Sequence, residues 1–123
     1  MKMILDNTRG GYAITAYEDG RVIINELAFA RSLIVTPQAL VENWPPASLA
    51  ELAEDHLRQV LELGPEVILL GTGSRLAFPD SALLNPLMRG RIGLEVMDTA
   101  AACRTYNILM AEGRRVAAAL ILG

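Results

Sequence analysis

Three observations predict an α/β fold with a mixed β-sheet. Residues 67–70, 93–97 and 116–122 form short, almost wholly apolar runs, the pattern of strands covered on both faces. Between the last two runs lies a single helix with punctuation at both ends, Asp98 or Thr99 at its head and Gly113 at its tail. Near the start of the chain, two strand-like segments flank Glu18-Asp19-Gly20, whose turn chemistry predicts a β-hairpin. A chain of 123 residues with 52% hydrophobic content has material for one core, so residues 1–123 are expected to form a single domain.

The elements follow in order. Residues 12–17 suit a strand and residues 21–25 the second arm of the hairpin, while residues 32–36 read as a third strand closed by Pro37. Trp44-Pro45-Pro46 is an extended connector, since each proline fixes its own φ and biases its predecessor away from helix. A helix is then predicted to open at Ser48, three residues before Glu51, the capping-box spacing. Ala53, Leu57, Val60 and Leu61 share one face of it, and Gly64 and Pro65 stop it. The strand at 67–70 ends in Gly71-Thr72-Gly73. A short helix at 81–88 is expected to break near Pro86. Strand 93–97, the long helix to about Glu112 and strand 116–122 make a βαβ crossover, and the hairpin makes the sheet mixed.

At about 100° per residue, Ala102, Cys103, Tyr106, Leu109 and Met110 share the core face of the long helix, with Ala100, Asn107 and Ala111 at its margin. Arg104, Thr105, Ile108 and Glu112 lie on the opposite side. A solvated face has no need of isoleucine between arginine and glutamate: either another segment or a partner covers it, or it is an ordinary lone exposed apolar side chain. Tyr106 reads as a ring packed inward with its hydroxyl on a polar partner, the sharper alternative being a catalytic tyrosine. Asn107 satisfies its amide either on a loop backbone or on a ligand.

Composition narrows the chemistry. A net charge of −3 carries no broad footprint for nucleic acid. One cysteine, Cys103, and one histidine, His56, leave no basis for a disulfide framework, a multi-histidine metal centre or a catalytic triad, and no cofactor is expected. Cys103 reads as a packed hydrophobe, and the facing of Glu95 in its apolar strand is undecided. The apolar run in Met1-Lys2-Met3-Ile4-Leu5-Asp6 is too short for a signal peptide, and no stretch reaches the roughly 18 apolar residues of a membrane span. The expectation is a bacterial cytoplasmic protein.

Two places invite a ligand. Backbone amides of the loop Gly71-Thr72-Gly73-Ser74-Arg75 could cradle a small anion with Arg75 adding charge, or the two glycines serve a tight turn at positive φ. Arg89, Arg91, Arg104, Arg114 and Arg115 make the second half locally basic, the last two at a helix end where cations meet the negative dipole terminus.

Taken together, Gly71-Thr72-Gly73, residues 93–99, Arg104-Thr105-Tyr106-Asn107-Ile108-Leu109 and residues 112–120 resemble a small family of uncharacterised proteins that includes mitochondrial complex I assembly factor 3. The resemblance implies a three-layer α/β fold with a mixed central sheet. For mitochondrial members it implies a non-catalytic role in assembling the NADH dehydrogenase complex alongside a partner assembly factor. It carries over Gly71, Gly73, Thr99, Thr105, Tyr106, Asn107, Glu112 and Arg114 as motif positions.

The chain lacks a recognisable catalytic set, which favours a binding or assembly protein that takes a protein partner, or a second copy of itself, near Arg104, Ile108 and Glu112. The competing expectation is a small-anion site, with or without catalysis, built from Gly71, Thr72, Gly73 and Arg75 with Thr99, Asn107 and a nearby arginine.

Overall fold

The structure, a computed structural model, describes residues 11–18 and 20–122. The N-terminal run read above for a signal peptide, and Asp19 of the hairpin turn, lie outside the described residues.

The first half opens with an antiparallel meander. Strands β1 (Ile14–Glu18), β2 (Arg21–Ile24) and β3 (Leu27–Phe29) pair in that order. A bulge between Ile14 and Ala16 interrupts the β1–β2 register. The β2–β3 turn places Asn25 and Glu26 at φ of 47° and 77°, the left-handed pair that tight hairpins need. Strands β4 (Leu33–Val35) and β5 (Leu40–Val41) come next, followed by a 3-10 turn (Leu49–Glu51) and helix α1 (Glu54–Leu61). The second half runs β6 (Val67–Gly71), a 3-10 turn (Ser81–Leu84), α2 (Asn85–Gly90), β7 (Gly93–Met97), α3 (Thr99–Ala111) and β8 (Val116–Leu120).

The main sheet has five strands in the order β5-β4-β8-β6-β7. β6 is parallel to both β7 and β8, whereas β4 is antiparallel to β8 and to β5. The sheet is mixed, as expected, but for a different reason. The hairpin does not enter it; β4 and β5 supply the antiparallel pairs, and the hairpin builds the separate three-stranded sheet with β3.

Alternation along the inner strands sorts their side chains onto two cores. Ile34, Ile68, Leu70, Ala117 and Ala119 join Trp44, Leu52, Leu57, Val60 and Leu87 on the α1–α2 side. Leu33, Val35, Leu69, Val116, Ala118 and Leu120 join Ile14, Val22, Ile24, Ala102 and Tyr106 on the α3 and meander side. Full burial of one leucine such as Leu69 or Leu70 is worth roughly 1.5–3 kcal/mol. This two-sided burial is what the unbroken apolar run 67–70 required.

One local expectation is corrected. The helix predicted from Ser48 is divided: Leu52 is extended (φ −65°, ψ 131°) and α1 starts only at Glu54. Ser48 makes no side-chain capping bond; the Glu51 carboxylate instead accepts from the Ala47 amide at 3.0 Å. His56 ties down the true start, its Nδ1 accepting from the Ala53 N–H at 2.9 Å. The break turns Leu52 into the core, which outweighs one capping bond. The helical stretch at 81–88 does divide near Pro86, into the 3-10 turn and α2, and Pro86 sits in the first turn of α2, where its missing N–H is harmless.

Candidate functional site

The long helix α3 organises the residues that the sequence singles out. Asp98 caps it, its carboxylate accepting from the Ala101 N–H at 2.8 Å. Glu112 closes it as the C-cap, and Gly113 follows at φ 79°, a left-handed stop that glycine adopts without a Cβ penalty.

At the head of α3, Thr99 is fully buried and braces three elements. Its Oγ1 accepts from the Gly73 N–H at 2.8 Å and donates to the Ile121 carbonyl at 2.9 Å. Its own N–H donates to the Gly73 carbonyl at 2.9 Å. A Cβ on Gly71 would lie 2.9 Å from Thr99 Oγ1 and 3.0 Å from Thr99 Cα. Gly71 is therefore required by close approach of the helix. Of the two loop glycines, only Gly73 has positive φ, 99°, so the expectation of positive φ at both is corrected at Gly71.

This bracing engages two of the loop amides that an anion would need. The Thr72 N–H goes to the Met97 carbonyl at 2.9 Å and the Gly73 N–H to Thr99. Thr72 Oγ1 bonds the Arg75 carbonyl at 2.6 Å, and the Arg75 side of the loop is exposed. Asn107 stands eight residues from Thr99, about 12 Å along the helix, and its amide is engaged elsewhere. Of the residues named for an anion site, Thr99 meets Gly71 and Gly73, and Asn107 does not join them.

Two turns on, Tyr106 and Asn107 fasten the start of the meander. Tyr106 is fully buried and its hydroxyl donates to the Tyr12 carbonyl at 2.5 Å. Burial pushes its phenol well above the ordinary tyrosine range. Asn107 Oδ1 accepts from the Ile14 N–H at 2.9 Å while its Nδ2 donates to the Ile14 carbonyl. Both side chains take the inward, backbone-satisfying role. Beside them Cys103 is 4% exposed, and burial raises its thiol to about 12, with Arg104 pulling weakly the other way; such a thiol is a packed hydrophobe with negligible thiolate.

Arg114 does more than meet a helix end. Its Nε lies 3.5 Å from Glu66 Oε2, and Glu66 Oε1 accepts from the Arg115 N–H at 3.0 Å. That backbone bond first, then the two arginines, hold the Glu66 carboxyl below its ordinary value. Glu66 was missed in the sequence. The signal available was its place just before β6, opposite the arginines that precede the parallel partner β8. Glu95, undecided above, points outward and is exposed.

What remains unused is the outer face of α3. Ile108 is 60% exposed, flanked one turn away on each side by exposed Arg104 and Glu112. A concavity of about 190 Å³ between β1 and α3, absent from the sequence reading, adjoins this face; Thr15, Ala16, Cys103 and Arg104 line it. The bulge in β1 is the feature that shapes its rim. Among the described residues, no group of three or more His, Cys, Asp or Glu could hold a metal ion, and no helix is long and apolar enough to cross a membrane.

The same fold recurs in known proteins. A crystal structure from Bordetella parapertussis matches with a TM-score of 0.87 at 41% identity, covering 92% of this chain and 97% of that one. The Xenopus tropicalis protein named NADH dehydrogenase (ubiquinone) 1 alpha subcomplex assembly factor 3 is 34% identical over 110 residues, 88% of this chain. The chain spans 60% of that relative's length. A Francisella tularensis subsp. holarctica protein called a 13 kDa major membrane protein is 29% identical over 106 residues, 85% of this chain and 86% of the relative. Residues 14–121 match the family described as protein of unknown function (DUF498/DUF598). With nearly the whole fold inside that match, the chain belongs to this small α/β family, which includes complex I assembly factor 3.

Proposed function

We propose that the protein is a non-catalytic binding protein that assists the assembly of a larger complex and engages its partner through the outer face of α3. The observation that carries this reading is Ile108, 60% exposed on a helix whose Thr99, Tyr106 and Asn107 side chains are committed to internal bonds. An aliphatic side chain flanked by opposite charges is a small apolar anchor with a polar rim, the anatomy of a protein contact. The 34% identity to a protein named as an assembly factor of NADH dehydrogenase makes subunits of the respiratory NADH dehydrogenase the first partners to test. The reading includes a cytoplasmic location, in keeping with a single free cysteine.

The test is affinity capture of those subunits from the source organism with the wild-type protein and with Ile108→Asp. Capture by the wild type and its loss in the variant, with an unchanged circular dichroism spectrum, is the expected result. Equal capture by both proteins, or none by either, overturns the reading.

A further inference from the structure

The outer face of α3 has an internal symmetry. Arg104, Ile108 and Glu112 stand at i, i+4 and i+8, so they form one ridge of the helix surface. The ridge is positive at one end, apolar in the middle and negative at the other. Its two charges are about 12 Å apart along the axis, too far to pair with each other. Among the described residues, neither belongs to an ion pair; the arginines that do are Arg58 and Arg114. The neighbours on the same face, Ala101, Thr105 and Ala111, are small and let a second helix come close.

We infer that this ridge docks a second copy of the same chain, with the two α3 helices antiparallel about a two-fold axis at Ile108. This rests on reading the α3 outer face as a protein-binding surface, and it names one occupant of it. A two-fold contact must be self-complementary. Reversing the ridge about Ile108 sets Arg104 of one copy against Glu112 of the other, twice, and places the two isoleucines side by side. Packing i±4 ridges of both helices into each other's grooves is the commonest helix–helix class, at a crossing of about 50°. Its central contact lies where Ile108 stands, and the charged pairs lie about 6 Å to either side along each axis.

The size of the face sets the strength. A 13-residue helix is about 20 Å long, so one helix crossing buries less than the ~1,600 Å² of a standard interface. The dimer is therefore weak and exchanging, and it covers the same side chains that a heterologous partner would need. Self-association and partner capture then compete for Ile108.

Sedimentation equilibrium of the purified chain from ~10 µM to ~1 mM reads this directly. The wild type is expected to dimerise within that range. Arg104→Glu alone and Glu112→Arg alone are each expected to weaken association by ~10-fold, because each places like charges opposite one another twice. An equimolar mixture of the two variants restores both pairs and is expected to associate within ~3-fold of the wild type. All the altered side chains are exposed, so folding, checked by circular dichroism, is retained. A wild type that stays monomeric throughout, or a mixture no better than its components, overturns the inference. The capture experiment is scored separately: wild-type capture that Ile108→Asp abolishes, in a chain that stays monomeric, sinks the dimer alone, and absence of capture by a wild type that does dimerise sinks only the assembly reading.

Discussion

The side-chain amide of Asn107 pairs with Ile14 as a neighbouring strand residue would, accepting from its N–H and donating to its carbonyl. Ninety-three residues separate the two. One turn of α3 thus closes the open edge of β1 at that residue, and the Tyr106 hydroxyl fixes the Tyr12 carbonyl next to it. The meander is held to the helix by two residues adjacent in sequence, which explains why tyrosine and asparagine occur together there.

Removing that amide leaves two backbone groups of Ile14 without partners in a half-buried setting. Asn107→Ala is expected to destabilise the fold by about 1–3 kcal/mol. Asn107→Asp retains the acceptor for the Ile14 N–H but its carboxylate faces the Ile14 carbonyl, so it is not expected to rescue. Urea denaturation of the three proteins checks this; an alanine variant as stable as wild type would mean the latch contributes nothing.

Much of this architecture was legible in the sequence. The run 67–70 has no polar position, and a strand like that needs cover on both sides; it lies inside the sheet with all four side chains buried. Tyr106 falls on the apolar face at helical period, and it is fully buried. The parts that stayed hidden depend on contacts between distant segments. β3 and β5 have three and two residues, too few for alternation to register. Ser48 and Glu51 satisfy the local capping rule, but Leu52 is drawn into the core and the helix starts later. The partners of Asn107 and Glu66 lie 93 and 49 residues away, beyond any local pattern. The glycine pair at 71 and 73 was recognisable as important, but only the packed helix reveals that Gly71 is constrained by Thr99 and not by its own backbone.

That constraint gives a second prediction. Gly71→Ala drives a methyl group to within 3.1 Å of Leu120 Cδ2 as well as against Thr99, where neighbouring backbone and buried side chains cannot both yield. Overpacking of this kind costs typically 1–3 kcal/mol, about the cost of Thr99→Val, which strands the Gly73 N–H and the Ile121 carbonyl. Thermal unfolding of both variants checks the pair. A Gly71→Ala protein as stable as wild type would show that the head of α3 can move off the strand.

Cys103 gives a third prediction through its proton. Burial raises the thiol from its ordinary 9.0 to about 12, so the folded state keeps the proton where the unfolded chain releases it. The corresponding stability is complete below pH 9 and is lost as pH rises towards 12. Cys103→Ala is accordingly expected to flatten the decline in stability over that alkaline window, although it also leaves a small cavity. In the native protein at pH 8, alkylation by iodoacetamide is expected only through unfolding, with rapid labelling once denaturant is added. Fast labelling of the native thiol would place it at the surface.

Glu66 provides the opposite sign. Its carboxyl is held below the ordinary 4.5 by the Arg115 N–H first and by Arg114 and Arg115 next. A group depressed in the folded state contributes stability above its unfolded value, and that contribution fades as pH falls through the folded one. Wild type is therefore expected to lose more stability between neutral pH and the region below 4.5 than Glu66→Gln does. The bonds sit at the surface, so added salt should shrink the part due to the arginines while leaving the backbone bond. The measurement is a urea midpoint at neutral and acidic pH, each at low and high salt, for both proteins. Parallel acid losses in wild type and variant would show that the junction ahead of β6 and β8 is held without the Glu66 charge.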